Sequence, residues 1–452
     1  MKRKLSISLS VCLLASLFPF GACKNDETAT PTTGTPDNVL YVASWDEYID
    51  MGGEDSYLPG SEPLYDEFEV WYKQEYGEDI RVEYSALQDN ETMYGKIKMG
   101  DKYDLLCPSE YMMMKLKAED KLETFPQDFF DPAIEHNYYA QNLSPYIKSV
   151  FDAGGWTNYI AGYMWGTTGF VFNPKTIAQT EEKSREIMKS WQCLTAPECS
   201  RKITAKDNVR DSYFMGLGMY YENELLLLKD KLAKGEIDLA TYKSVLSQKM
   251  NDTSVETMSG AKKKLEQMRR NLYGLETDEG KLDVISGRLQ ASYQWSGDAV
   301  FILDEAESED ENRLLEYSIP ETASNLWFDG WVLMKDSKNV DAATAFINFL
   351  SIPENVVRNM YYIGYTSCIG GDEVFAYVEE TYGADEEETE LAEYDLSYFF
   401  GADHKLITST EQTTRQLFAQ YPDEKTIDRL VVMKYFDKKT NERANRMWNT
   451  IK

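Results

Sequence analysis

The chain has 452 residues, room for two domains of ordinary size, with the apolar and charged proportions of a globular protein. It carries 77 acidic against 47 basic side chains, a net charge of −30. That balance excludes nucleic acid as a partner, because phosphate binding relies on Lys and Arg clusters, and it attracts cations.

Only two histidines occur, His136 and His404, and neither has metal-ligand spacing, which argues against a zinc hydrolase or a Ser-His enzyme. No nucleophile, metal or cofactor motif is visible, so the expectation is a non-enzymatic protein without a cofactor or metal.

The N-terminus reads as an export signal: Lys2, Arg3 and Lys4, a mostly apolar stretch over 5–20, then Gly21 and Ala22 before Cys23. Phe20-Gly21-Ala22-Cys23 resembles a bacterial lipobox with Phe where Leu is usual. This implies a lipoprotein signal peptide over 1–22 and a lipidated Cys23 that anchors the protein to a membrane, in the periplasm or at the cell surface. Residues 23–38, rich in Thr, Pro and Asp, then form a flexible tether. Plain cleavage and free secretion is the other reading.

Residues 39–43 make a short strand leading into Trp45. Ser61 and Pro63 open a helix with Leu64, Phe68 and Trp71 on one face, ended by Gly77. Ile80, Val82 and Tyr84 alternate as a strand, and Asn90 caps a helix closing at Gly100 before the strand over 103–107. This alternation predicts an open α/β sheet, whose ligands sit outside the carboxyl ends of the strands. The Gly-punctuated apolar run over 159–172 suits a crossing between two lobes.

Further on, 202–205 reads as a strand and 207–211 as the opening of a helix. A charged, Leu-rich stretch over 221–250, broken at Gly235, predicts a surface helical hairpin. The acidic runs over 304–311 and 385–390 lack calcium-loop spacing and read as solvated loops. Cys193 and Cys199, with Pro197 between them, are near enough in sequence to close a small disulfide loop in an oxidising compartment, and the bonded and free states both stay open.

Acids beside aromatic rings recur at strand ends: Trp45-Asp46-Glu47-Tyr48, Ser109-Glu110-Tyr111, Trp295-Ser296-Gly297-Asp298 and Trp327-Phe328-Asp329. An aromatic face attracts a cation and a carboxylate adds a charge-assisted hydrogen bond, so each grouping can seat an amine. Packing or interface anchoring explains any single one equally well.

Together with Asn90-Glu91-Thr92-Met93-Tyr94-Gly95-Lys96, Asp207-Asn208-Val209-Arg210-Asp211 and Ile363-Gly364-Tyr365, these pieces resemble, in order, the spermidine/putrescine-binding proteins that feed bacterial ABC importers. The resemblance implies a two-lobed periplasmic-binding-protein fold of type II with an interlobe cleft. One lobe would be 39–165 plus 326–374, the other 166–325 plus 375–452 with the helical insertion. It places ligand-facing rings at Trp45, Tyr48, Tyr111, Trp295, Trp327 and Tyr365. It places amine-holding acids at Asp329 and Asp211, with further contacts at Asp46, Asn208 and Thr277. Asn208 stands where family members commonly carry a second acid, and Asp298 matches no ligand-contacting position.

The expected function is therefore an extracytoplasmic lipoprotein, monomeric by the resemblance, that captures a linear polyamine and hands it to ABC permease subunits. The alternatives are a receptor for another cation and a sensor that passes its liganded state to a signalling partner.

Overall fold

The computed structural model describes residues 38–276 and 280–452. The signal peptide, Cys23, the tether up to residue 37 and Thr277 lie outside the described residues.

The described strands are β1 (Val39–Trp45), β2 (Arg81–Leu87), β3 (Leu105–Leu106), β4 (Ala161–Phe172), β5 (Ile203–Lys206), β6 (Gly274–Glu276) and β7 (Ala291–Trp295). They continue with β8 (Glu316–Ser318), β9 (Ser324–Leu333), β10 (Thr366–Ser367), β11 (Leu391–Asp395), β12 (Lys405–Ser409) and β13 (Leu430–Val432). Eleven of them join in one connected sheet whose main order is β2-β1-β3-β9-β4-β7-β5-β6. At one end β1 runs parallel to β2 and β3, and at the other β5 runs parallel to β6 and β7.

Two long antiparallel strands, β4 and β9, join these ends. All twelve residues of β4 are buried, as its apolar, Gly-punctuated sequence requires of a strand covered on both faces. Its first half pairs with β9 and its second half with β7 and β8, so the predicted crossing is a single unbroken strand.

Helices cover the sheet. Leu64–Tyr76 buries Leu64, Phe68 and Tyr72 at a spacing of four and stops at Gly77, whose φ of 74° suits a residue without a Cβ. The helix expected to be capped by Asn90 is instead capped by Asp89, whose side chain accepts from the Thr92 amide at 2.6 Å. The predicted hairpin is present as helices Val209–Ala233 and Leu239–Met250, the first beginning well before the insertion.

The acidic run over 304–311 is not a loop: helix Ser296–Glu309 contains most of it. Burial there pushes the Asp304 carboxyl up to about 6, while Gln416 donates to it at 2.8 Å. Cys193 and Cys199 are both buried free thiols.

Burial divides the interior into a large cluster around β1, β3 and the start of β4, a second around helix Val209–Ala233, and a third under helix Ser296–Glu309. The passage after residue 375 packs for most of its length on the first of these clusters, with Ala419 in the third. Val378, Tyr394, Phe399, Leu406 and Tyr421 all lie in the first cluster, and the chain joins the second only at Val431. The physical reason is aromatic stacking: Phe399 lies 5.4 Å from Trp165 and 5.2 Å from Tyr421.

Candidate ligand-binding cleft

Strand β9 places Trp327 and Asp329 on one face, two residues apart. Pairing sets Asp329 opposite Met164 and Trp327 opposite Gly166 of β4, while β7 sets Trp295 opposite Thr168. Asp329 and Trp327 on β9 and Trp295 on β7 therefore share one face of the sheet on opposite edges of β4, Asp329 and Trp295 lying about 13 Å apart along β4 and about 10 Å, two strand spacings, across it. A Cβ at position 166 would collide with the Trp327 ring and the Ser296 hydroxyl, so glycine lets these side chains close over the strand.

The Asp329 carboxylate is 6 % exposed. It accepts from Trp45 Nε1 at 3.1 Å and the Tyr48 hydroxyl at 2.7 Å, and the Ser109 backbone bridges to the Asp329 backbone. Asn90 fixes Ser109 in turn, donating from Nδ2 to its hydroxyl at 3.0 Å and accepting from its amide at 3.1 Å. Burial raises the Asp329 carboxyl above its ordinary range, while hydrogen bonds from Ser109, Tyr48 and Trp45 favour the ionised form. The result is an oriented, poorly hydrated carboxylate, to which an ammonium group is the matching partner.

Tyr365 closes the wall, with ring centroids 5.2 Å from Trp327 and 6.1 Å from Tyr48. Its ring lies where a side chain at Gly297 would stand, and its hydroxyl donates to Asp298 at 3.4 Å. Asp298 thus sits at the cleft: 7 % exposed, it pairs with Lys206 at 3.2 Å and Lys281 at 2.8 Å. The sequence reading set this acid aside; its place at the start of the helix behind Trp295 brings it against Tyr365.

Tyr111 enters from helix Glu110–Ala118 and lies beneath the Arg210 guanidinium, 4.1 Å from the ring centroid. Arg210 also faces Phe436 at 4.6 Å and donates to the Lys434 carbonyl at 2.7 Å. Asp211, one residue on, is buried; burial pushes its carboxyl up to about 6 against the opposing charges of Lys206 and Arg210.

Of the remaining predicted contacts, Asn208 is used as a helix cap, its Oδ1 accepting from the Arg210 amide at 2.8 Å and the Asp211 amide at 3.2 Å. Asp207 turns away to accept from Trp448 Nε1 at 2.8 Å. Asp46 is exposed beside Trp45.

Two further groups lie at the site. Glu110 is 2 % exposed, and burial pushes its carboxyl up to about 8; the Arg210 charge opposes that shift, and Asp329 and Asp211 reinforce it. It is the acid of the Ser109-Glu110-Tyr111 grouping, one residue from the Tyr111 ring. Lys206, last residue of β5, lies 4.4 Å from the Trp295 ring centroid. Nothing in a short apolar strand announces a cation at its end.

The cleft thus offers aromatic walls and several carboxylates that burial has stripped of water, a chemistry suited to a cationic ligand with an apolar middle. Among the described residues no group of His, Cys, Asp and Glu could hold a metal ion, and no helix is long and apolar enough to cross a membrane.

The family described as bacterial extracellular solute-binding protein matches residues 64–371. The spermidine/putrescine-binding periplasmic protein of Salmonella typhimurium is 26 % identical over 331 residues, covering 73 % of this chain and 77 % of that protein. Spermidine/putrescine-binding periplasmic protein 1 of Haemophilus influenzae is 25 % identical over 343 residues, covering 75 % and 77 %. Among solved structures, the spermidine/putrescine ABC transporter substrate-binding protein PotD from Streptococcus pneumoniae superposes with a TM-score of 0.59 at 26 % identity, covering 92 % of this chain and 98 % of that one. The type II periplasmic-binding-protein fold expected from the sequence is shared with that structure.

Proposed function

Because this chain belongs to the bacterial extracellular solute-binding proteins, we propose that it captures a linear polyamine, spermidine or putrescine, between two hinged lobes and delivers it to an ABC permease. The observation that carries this reading is the Asp329 seat: a buried carboxylate held by Trp45, Tyr48 and Ser109, with Tyr365 and Trp327 beside it. Asp211 and Glu110 offer negative charge for a second amine, and the rings between pack the methylenes. The names of the relatives in Salmonella typhimurium and Haemophilus influenzae support the same ligand class.

The lobes would meet along β4 and β9, and closure around the ligand would follow the hinge motion common to cleft-binding proteins. Membrane attachment through a lipid on Cys23 completes the proposal and would hold the binding domain near its permease.

Calorimetric titration of the soluble part from Asn38 onward tests the ligand class. At least one of putrescine, spermidine and spermine should bind with micromolar or better affinity, about −8 kcal/mol, and raise the melting temperature. Heat from choline or glycine betaine with none from the three polyamines would sink the reading, because a quaternary amine needs aromatic rings but not carboxylates at two ends.

A further inference from the structure

We infer that Lys206 is a specificity-determining residue: its ammonium, held above the Trp295 ring by Asp298, takes the last cation position in the cleft and restricts it to linear diamines. The inference rests on the polyamine reading above.

The cleft has a measurable length. Asp329 to Trp327 is two residues along β9, about 7 Å, and Asp329 to Trp295 is four residues along β4 and two strands across it, about 16 Å between backbones, a gap that the two side chains narrow from both ends. A fully extended diamine with four methylenes spans about 6 Å between nitrogens and an extended triamine about 11 Å, from ordinary bond lengths and angles. A diamine bound at Asp329 therefore ends near Trp327 and Tyr365. The third nitrogen of a triamine continues toward Trp295.

That last position is occupied. Lys206 is 1 % exposed, and its Nζ lies 4.4 Å from the Trp295 ring centroid and 3.2 Å from Asp298 Oδ2. Asp298 in turn accepts from Lys281 Nζ at 2.8 Å, so two protein cations already share its charge. A ligand ammonium arriving there would meet a like charge in a poorly hydrated site, where repulsion is screened little. Asn208 acts in the same direction, since its oxygen is committed to the helix cap and it adds no charge for a further amine.

The test titrates putrescine and spermidine calorimetrically into the parent, into Lys206→Met, and into the double variant Lys206→Met/Asp298→Asn, which removes both members of the buried pair. The parent should prefer putrescine by at least about ten-fold, and both variants should shrink that preference by about ten-fold, in Lys206→Met through gained spermidine affinity. The double variant keeps the test decisive should the single one fold poorly, because it leaves neither Lys206 nor Asp298 as a buried unpaired charge, and Lys281, which also loses Asp298, has a side chain 21 % exposed that can reach water.

A parent that binds spermidine as tightly as putrescine overturns the inference while leaving the polyamine reading intact. So does an unchanged preference in variants that melt like the parent, which would reduce Lys206 to a staple between β5 and helix Ser296–Glu309. If the parent binds neither amine, the polyamine reading fails and this inference with it.

Discussion

The Tyr48 hydroxyl donates to Asp329 Oδ2 at 2.7 Å, joining residues 281 positions apart in sequence, and Trp45 donates to the same oxygen at 3.1 Å. One oxygen is thus saturated by the protein, and the charge it anchors is left to the ligand. Asp329→Asn keeps the shape and removes the charge, leaving a ligand ammonium desolvated and unpaired at a cost of about 2 to 5 kcal/mol. Titration should show polyamine affinity reduced roughly thirty-fold or more. Asp46→Asn, at an exposed position one residue from Trp45, should bind like the parent. Equal losses in the two variants would refute the cleft assignment.

Affinity should rise with pH between about 5 and 8. Burial holds the Glu110 carboxyl up at about 8 and Asp211 at about 6, against ordinary values of 4.5 and 3.8, with Arg210 and Lys206 as the opposing cations. Both are raised above their unfolded values, so the empty folded protein binds more protons than the unfolded chain in this window. Its stability should accordingly fall as pH rises, by about 1.4 kcal/mol per pH unit for each group while that group is differentially protonated. An ammonium ligand favours the ionised carboxylates, so binding at neutral pH should release protons. Calorimetry at pH 7 in two buffers of different ionisation enthalpy reads this directly; identical heats would count against it.

Gly297→Ala should impair binding by displacing a ring that faces the ligand. A methyl there would stand within the Tyr365 ring and push it from Trp327, an overpacking cost of about 1 to 3 kcal/mol. Tyr365→Leu in the Gly297→Ala background should restore melting temperature but not affinity. Unchanged affinity in Gly297→Ala would show that the Tyr365 position is irrelevant to the ligand.

Arg358 anchors the segment that carries Tyr48. It is 2 % exposed and donates to Asp50 at 2.8 Å, to Glu67 at 2.7 Å and to the Glu62 carbonyl at 3.1 Å, while Asp50 also accepts from Ser56 and the Gly52 amide. Arg358→Met leaves Asp50 as a buried charge without its cation, and chemical denaturation should register a loss of about 3 to 5 kcal/mol. A loss below about 1 kcal/mol would mean that water replaces the guanidinium.

Cys23→Ala should release the protein into the soluble fraction or leave it uncleaved, since the proposed anchor is a lipid on that thiol. Unchanged membrane attachment and processing in a fractionation experiment would rule the lipid anchor out.

Much of this was legible in the chain itself. Apolar runs and their punctuation marked β1, β3 and β4, and the acid-near-ring groupings marked Trp45, Tyr48, Trp327 and Asp329, which the structure brings together. What stayed hidden depends on contacts between distant segments. Glu110 becomes a cleft acid only because Ser109 bridges to Asp329 in β9. Lys206 and Asp298 meet only because β5 and β7 end side by side. The passage over 378–421 joins the first core through Trp165–Phe399 stacking, which no local period announces.

The antiparallel pairing of β4 with β9 also sets a clock on maturation. The central strand of the first core cannot find its partner until residue 333 of 452 is available, and the intervening loop must close against its own entropy. Severing the polypeptide between β8 and β9 would therefore leave the first half of β4 in one fragment and its β9 partner in the other. In a chain made from its N-terminus, β1 and β2 can pair early, while the first half of β4 waits for β9.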